Sequence, residues 1–300
     1  MPGDISHPPP AIEATYKGRD VEGIADLYFY RKIGFWLARL CARLQLTPTA
    51  VTLIGGAFGI IAGHLYYYSD LFTNLSGLGF HVVANVFDNA DGQLARLTNR
   101  KSRTGRLLDG FVDHLIFLGI YLHLALRCRA EGASLAIWLL VLAAAISHAL
   151  QAAAADYCRN AYLFFTGKNR EFDSASSIAA DYQPLRWRDE PVKKFFLALY
   201  LSATREQEML LPTMRRLRAA IADNLPSWLQ SSYRDSQRPM FRWWGLLMTN
   251  TRMVFLFAIF LIHQPAWYFW IELTVLNILL VALLIQQERA CRSLLARVSA

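Results

Sequence analysis

Apolar stretches about as long as a bilayer is thick recur along the chain, and they make a polytopic membrane protein the expected fold. They run over Thr49–Tyr68, Gly77–Leu97, Gly105–Leu126, Leu135–Phe165, Trp243–Ile262 and Ala266–Ile285. The fourth is longer than the ~20 residues a crossing needs, so it is expected to project beyond the bilayer. Charged residues make up only 18% of the 300 residues and the mean hydropathy is +0.24. A soluble domain would carry nearer a quarter charged. The polar stretch 168–240 dilutes the average, so the remainder is more apolar still.

Basic residues orient the segments. Arg96, Arg100, Lys101, Arg103 and Arg106 lie between the second and third, many more between the fourth and fifth, and Arg289, Arg292 and Arg297 in the tail. The connections on the other side hold only Arg127 and Arg129. The positive-inside rule then places both termini in the cytosol, at the inner membrane if the cell is bacterial. The net charge of +8 is thereby explained by loop placement, and nucleic acid is not an expected partner.

Residues 27–45 repeat apolar groups at helical spacing (Phe29, Ile33, Trp36, Leu37, Leu40, Leu44), with Lys32, Arg39 and Arg43 opposite. The pattern predicts an amphipathic interfacial helix. The expected fold class is thus an all-α integral membrane protein. It has six transmembrane helices, this N-terminal interfacial helix, and a helical cytosolic insertion between helices four and five. The expected divisions are a flexible leader over 1–26, the interfacial helix with spans one to four over 27–165, the insertion over 166–242, and spans five and six with the tail over 243–300. Within the insertion, 191–211 and 213–223 read as helices that meet at Pro212. The N-terminus has no apolar core of a signal peptide, and Cys41, Cys128, Cys158 and Cys291 read as free thiols.

The second and third segments are poor membrane helices. They hold Asn85, Asp88, Asn89 and Asp91, then Asp109 and Asp113. Four bare carboxylates at helix centres would cost on the order of 10 kcal/mol, so something must compensate them. Asp88 and Asp91 are three apart and Asp109 and Asp113 four apart, so each pair shares a helix face. The short segment between folds the helices into an antiparallel hairpin, and all four carboxylates converge. Hard oxygen ligands of this kind suit Mg²⁺ or Mn²⁺, and four can hold two ions. Gly92, Ala95 and Gly105 beside them leave room for a ligand or allow tight helix contact. Metals, a cavity and a basic rim suit a phosphorylated ligand.

The run Asp88-x2-Asp91-Gly92-x2-Ala95-Arg96-x8-Gly105-x3-Asp109-x3-Asp113 resembles the signature of the CDP-alcohol phosphotransferases, with eight identities over 26 positions. The resemblance covers residues 27–165 well, and the last two spans by topology alone. It implies a metal pair on Asp88, Asp91 and Asp109, with Asp113 as a further ligand and the general base. It also implies a nucleotide beside Asp88, Gly92, Ala95 and Gly105. Pro48 and Thr52 are similar to the family's start of the first span and would line the nucleotide pocket. The implied reaction transfers a substituted phosphate from a CDP-linked donor to an acceptor hydroxyl and releases CMP. CDP-diacylglycerol with a soluble alcohol, phosphorylated or not, is the favoured pair; a soluble CDP-alcohol with a lipid acceptor such as diacylglycerol is the alternative. Membrane lipids and a second copy of the chain complete the expected partners.

Arg159, in Asp156-Tyr157-Cys158-Arg159, partly resembles a segment of relatives that take phosphorylated sugar alcohols, and it either binds an acceptor phosphate or snorkels. Arg252 lies within the fifth span and needs a phosphate or carboxylate partner. Asn277 allows two readings, an interhelical contact or a cavity-facing group. His114 and His148 read as packing residues, the Gly55, Gly59, Gly63 stripe as helix contact, and Trp243, Trp244, Trp267, Tyr268 and Trp270 as interfacial aromatics. A divalent-cation transporter would need polar groups through to the far side; here they stay in one half of two adjacent helices.

Overall fold

The computed structural model describes residues 12, 18, 20–100, 102–169, 172–221 and 225–299. These are helical, with no strand among them. A π-helical turn over Asp26–Tyr30 leads into α1 (Arg31–Arg43), followed by α2 (Pro48–Leu65), α3 (Leu71–Leu97), α4 (Arg103–Ala130) and α5 (Ile137–Phe165). The insertion forms α6 (Ala175–Tyr182), α7 (Pro191–Leu210), α8 (Pro212–Ile221) and α9 (Ser227–Gln237). The chain ends in α10 (Phe241–Trp244), α11 (Thr249–Leu261), α12 (Ala266–Leu273) and α13 (Val275–Val298).

Local chemistry sets the starts of the central helices. Thr47 caps α2, accepting from the Ala50 amide at 3.1 Å, with Pro48 as first residue. Asp70 caps α3 through the Thr73 amide at 2.8 Å, and Ser102 caps α4 through Gly105 at 2.9 Å. Asn99 takes φ +51° after α3 while the Arg100 amide returns to Ala95 O at 3.0 Å, so the chain turns sharply into α4. Pro191 and Pro212 open α7 and α8, as expected for residues that cannot sit deeper in a helix.

Among the described residues four stretches are long and apolar enough to cross a membrane: α2, α4, α5 and the run Ala266–Val298. α3 equals them in length but carries Asp88, Asp91 and Arg96. The fifth expected span, Trp243–Ile262, is not one straight helix. Met248 is extended (φ −104°, ψ 169°), and the arms Ser227–Leu247 and Thr249–Leu261 meet at a bend of 41°. Counted together they would make a fifth crossing. The sixth continues well past Ile285, to Val298.

The glycine stripe on α2 packs as read from the sequence. A Cβ on Gly55 would fall 2.8 Å from Phe87 Cβ of α3, and one on Gly56 2.6 Å from Val112 Cγ1 of α4. Gly59 and Gly63 meet Ile116 and Ile120 of α4 in the same way. These close approaches wedge α2 between α3 and α4.

The region preceding α1 is less detached than a flexible leader over 1–26 would be. Val21 is buried, Asp20 accepts from Lys168 Nζ at 2.6 Å, and Glu22 pairs with the buried Arg31 at 3.1 Å. Most of residues 1–17 lie outside the described residues. α1 turns Gly34, Phe35, Ala38 and Cys41 inward and leaves Ile33, Trp36, Leu40 and Leu44 exposed. Two of the expected interfacial aromatics instead belong to the core: Trp244 and Tyr268 are 2% and 0% exposed, whereas Trp243, Trp267 and Trp270 are exposed. All four cysteines are free and buried.

Candidate metal centre

Helix periodicity places the acidic residues, and the α3–α4 hairpin brings them together. One carboxylate oxygen from each of Asp88, Asp91 and Asp109 lies within 4.8 Å of the others. Asp88 is exposed, Asp91 buried and Asp109 half-buried, so the cluster reaches from the core to an accessible edge. Asp113, one turn beyond Asp109, lines the same cleft but stands outside this cluster of three. Thr52, Gly55, Gly56, Ala84, Asn85 and Val112 complete most of the wall. The cleft holds about 20 Å³, ion-sized or water-sized room rather than space for a nucleotide.

The Thr52 hydroxyl donates to Asp91 Oδ2 in a close hydrogen bond. Since Thr52 follows Pro48 by one turn, its place in the cleft depends on the capped start of α2. The same hydroxyl also lies 3.1 Å from the Pro48 carbonyl, so Pro48 touches the site through Thr52 alone. The sequence reading leaves out Gly56 and takes Gly55, the first of the Gly55, Gly59, Gly63 stripe, only as packing, although both follow Thr52 by about one turn and line the cleft. Asn85, three residues before Asp88, also lines the cleft and donates to Met253 Sδ at 2.8 Å.

Three carboxylates, one of them held in place by the Thr52 hydroxyl, form a donor set that fits a hard divalent cation. Such an ion would offset the mutual repulsion of carboxylates held so close.

Gly92, Ala95 and Gly105 do not line the cleft. The nearest atoms to a Cβ on Gly92 are those of the Arg96 guanidinium, at 3.4 Å, and Gly105 sits in the first turn of α4. Gly92 and Ala95 are one turn after Asp88 and Asp91, and Gly105 one turn before Asp109. All three therefore lie between the carboxylates and the 98–102 turn.

The two arginines proposed for ligand phosphate are elsewhere. Arg252 is 1% exposed and already satisfied: Nε meets Glu272 Oε1 at 2.8 Å, Nη2 meets Gln151 Oε1 at 2.7 Å, and Nη1 donates closely to the Leu247 carbonyl. Its partner is thus a carboxylate of the chain, not a ligand phosphate. Glu272 is the only acidic residue between Asp235 and Glu288, the one sequence signal that could have identified it. Arg159 pairs closely with Asp156 on its own helix and does not line the cleft. Asn277 makes the interhelical contact, donating to Ser147 Oγ at 2.9 Å and accepting from Gln151 at 2.9 Å. His148 is buried beside Tyr121 OH at 3.2 Å, and His114 Nδ1 meets its own helix at Gly110 O at 2.6 Å; neither lines the cleft.

No curated protein matches the chain. Residues 45–167, which carry all four aspartates, match the family model described as CDP-alcohol phosphatidyltransferase, a family that transfers a substituted phosphate group from a CDP-alcohol to an acceptor and uses divalent metals.

Proposed function

We propose that the chain transfers a phosphatidyl group from CDP-diacylglycerol to the hydroxyl of an acceptor alcohol, with release of CMP. The observation that carries this reading is the meeting of Asp88, Asp91 and Asp109 within 4.8 Å on two helices. In a mostly apolar hairpin such a cluster is costly unless cations offset it.

Asp88, Asp91 and Asp109 would hold Mg²⁺ or Mn²⁺, and with Asp113 nearby the donor set would suffice for two ions. Bound ions would neutralise the donor pyrophosphate and stabilise the departing CMP. Thr52 orients Asp91 by its hydrogen bond. Asp113, outside the tight cluster, takes the proton of the acceptor hydroxyl as its oxygen attacks the β-phosphorus. The bond from that phosphorus to the CMP oxygen breaks, and the proton stays on Asp113 until solvent removes it. The nucleotide lies at the mouth of the narrow cleft, beside Gly92, Ala95 and Gly105, with Pro48 and Thr52 at its edge.

The membrane arrangement follows the same reading. α3 is a sixth crossing whose polar groups face the cleft, and the bent pair ending in α11 is the fifth. Both termini and residues 166–242 are then cytosolic, where the basic connections lie. The exposed apolar side chains of α1 rest in the membrane interface.

The test uses purified protein in lipid nanodiscs with CDP-diacylglycerol and a panel of alcohols, including glycerol phosphate, serine, inositol and inositol phosphate. CMP release and the lipid product are followed by mass spectrometry. Chelation should abolish turnover and added Mg²⁺ or Mn²⁺ restore it, and Asp88→Asn or Asp109→Asn should remove it at any metal concentration. Metal-independent turnover, or full activity in those variants, would refute the assignment.

A further inference from the structure

The insertion packs on the helix that supplies two of the four carboxylates. Arg103, Leu107 and Phe111 recur every fourth residue and make one stripe along α4. Arg103 pairs closely with Asp181 of α6 and, at 3.8 Å, with Asp173 just before α6. Its guanidinium lies 5.5 Å from the Tyr200 ring of α7, and the Tyr200 hydroxyl donates to Asp173 at 2.8 Å. One turn on, Leu107 packs against Ile178, Leu197 and Leu201. A further turn on, Phe111 meets Phe195 and Phe196 edge-on, with centroids 6.3 and 5.8 Å away.

Asp109, Asp113 and Ile116 belong to the cleft wall, and at 3.6 residues per turn they lie on the side of α4 opposite this stripe. α4 is therefore held between α2 in front, with the carboxylates of α3 across the cleft, and the insertion behind. In front, the carboxylates of Asp88, Asp91 and Asp109 repel one another wherever they are ionised, which drives α4 away from α3. The glycine contacts with α2 are close but carry no directional bond, and the hydrogen bond between His64 of α2 and His123 of α4, at 3.3 Å, lies almost four turns along α4 from Asp109. The side chains packed behind, around Leu107 and Phe111, block that displacement, and the polar end of the contact, at Arg103, fixes the first turn of α4 in register against them.

We propose that α6 and α7 form a brace that holds α4 at the spacing the metal cluster requires, with Arg103 as its positioning residue. This rests on the metal reading above, so its test has an arm that needs no metal. Spin labels go on Arg43→Cys and Thr104→Cys, both exposed positions near the ends of α1 and α4, in full-length protein whose own cysteines are buried. In metal-free nanodiscs Arg103→Ala should broaden the interlabel distance distribution, and Arg103→Lys, which keeps the charge, should leave it narrow. In parallel, Mn²⁺ affinity read by electron paramagnetic resonance should fall about tenfold in Arg103→Ala, the lower end of what residues that orient metal ligands contribute, and much less in Arg103→Lys. If Arg103→Ala fails to fold, the pair Asp173→Asn/Asp181→Asn breaks the same ion pairs from the other side. Unchanged distances and Mn²⁺ affinity in these variants would overturn the brace, as would lowered thermal stability with neither reading moved. A wild type that binds no Mn²⁺ would sink the metal reading instead, and the metal-free distances alone would then decide the brace.

Discussion

Replacing Glu272 by Gln tests the buried pair that joins α11 to α12. Both side chains are out of solvent, Arg252 at 1% and Glu272 at 0% exposure, and their closest atoms are 2.8 Å apart. At that distance, with an effective dielectric near 20, the gross attraction is about 6 kcal/mol. Most of it offsets the cost of taking both charges from water, so the net value of the pair is small. Breaking it is different, because the guanidinium stays buried without its counter-charge; such losses run to about 3–5 kcal/mol. Gln keeps one acceptor, and Arg252 keeps Gln151 and the Leu247 carbonyl, so the expected loss lies at the lower end. A thiol-reactive dye reads it directly, since all four cysteines are buried and become reactive only on unfolding. Glu272→Gln should melt several degrees below wild type, whereas Arg252→Met/Glu272→Leu should recover most of the difference, because no lone charge remains. A Glu272→Gln protein that melts with the wild type would refute the reasoning. Loss of turnover in a fully stable double variant would return Arg252 to a ligand-binding role.

Asp113→Asn should keep the fold and Mn²⁺ binding at the three-carboxylate cluster but lower CMP release by about 10²–10⁴-fold, the usual contribution of a general base; a near-normal rate would remove that role. Gly59→Ala places a methyl 2.5 Å from Ile116 Cδ1 and 2.6 Å from its Cγ1, so α2 and α4 must part, at about 1–3 kcal/mol. The same melting assay should show that loss, and Ile116→Ala in the same chain should recover part of it. At the N-terminal segment, the Lys168 hydrogen bond holds the Asp20 carboxyl below its usual range. A depressed carboxylate stabilises the fold fully above its unfolded value near 3.9 and loses this as pH falls through the lower folded value. Titration of Asp20 by isotope-edited infrared spectroscopy should therefore find a pKa below 3.8 in wild type and a higher one in Lys168→Met.

Much of the site was legible because it is built from local spacing. Asp88 with Asp91, and Asp109 with Asp113, share faces by helical geometry alone, and the short 98–102 turn leaves α3 and α4 little choice but to lie antiparallel. The glycines of α2 were also readable as a contact stripe, though not the fact that Gly55 and Gly56 floor the cleft. That Arg252 needs a phosphate or carboxylate partner is legible in the sequence, but which of the two, and which residue, is not. Glu272 lies 20 residues away, past the end of α11 and in another helix, and no periodicity links the two. Likewise the break at Met248 divided a segment that hydropathy reads as one span, because hydropathy does not register a single extended residue.

The chain's own order of residues determined the apolar stretches, the caps that start the central helices and the acidic pairs along α3 and α4. These depend on neighbours within about a turn, where helix geometry leaves little freedom. Packing alone decided that Thr52 meets Asp91 across 39 positions, that Arg103 meets Asp181 across 78, and that Asp113 stands apart from the three clustered carboxylates. Contacts of that kind depend on how whole helices settle against one another, and a side chain's distant partner leaves no trace in the pattern around it.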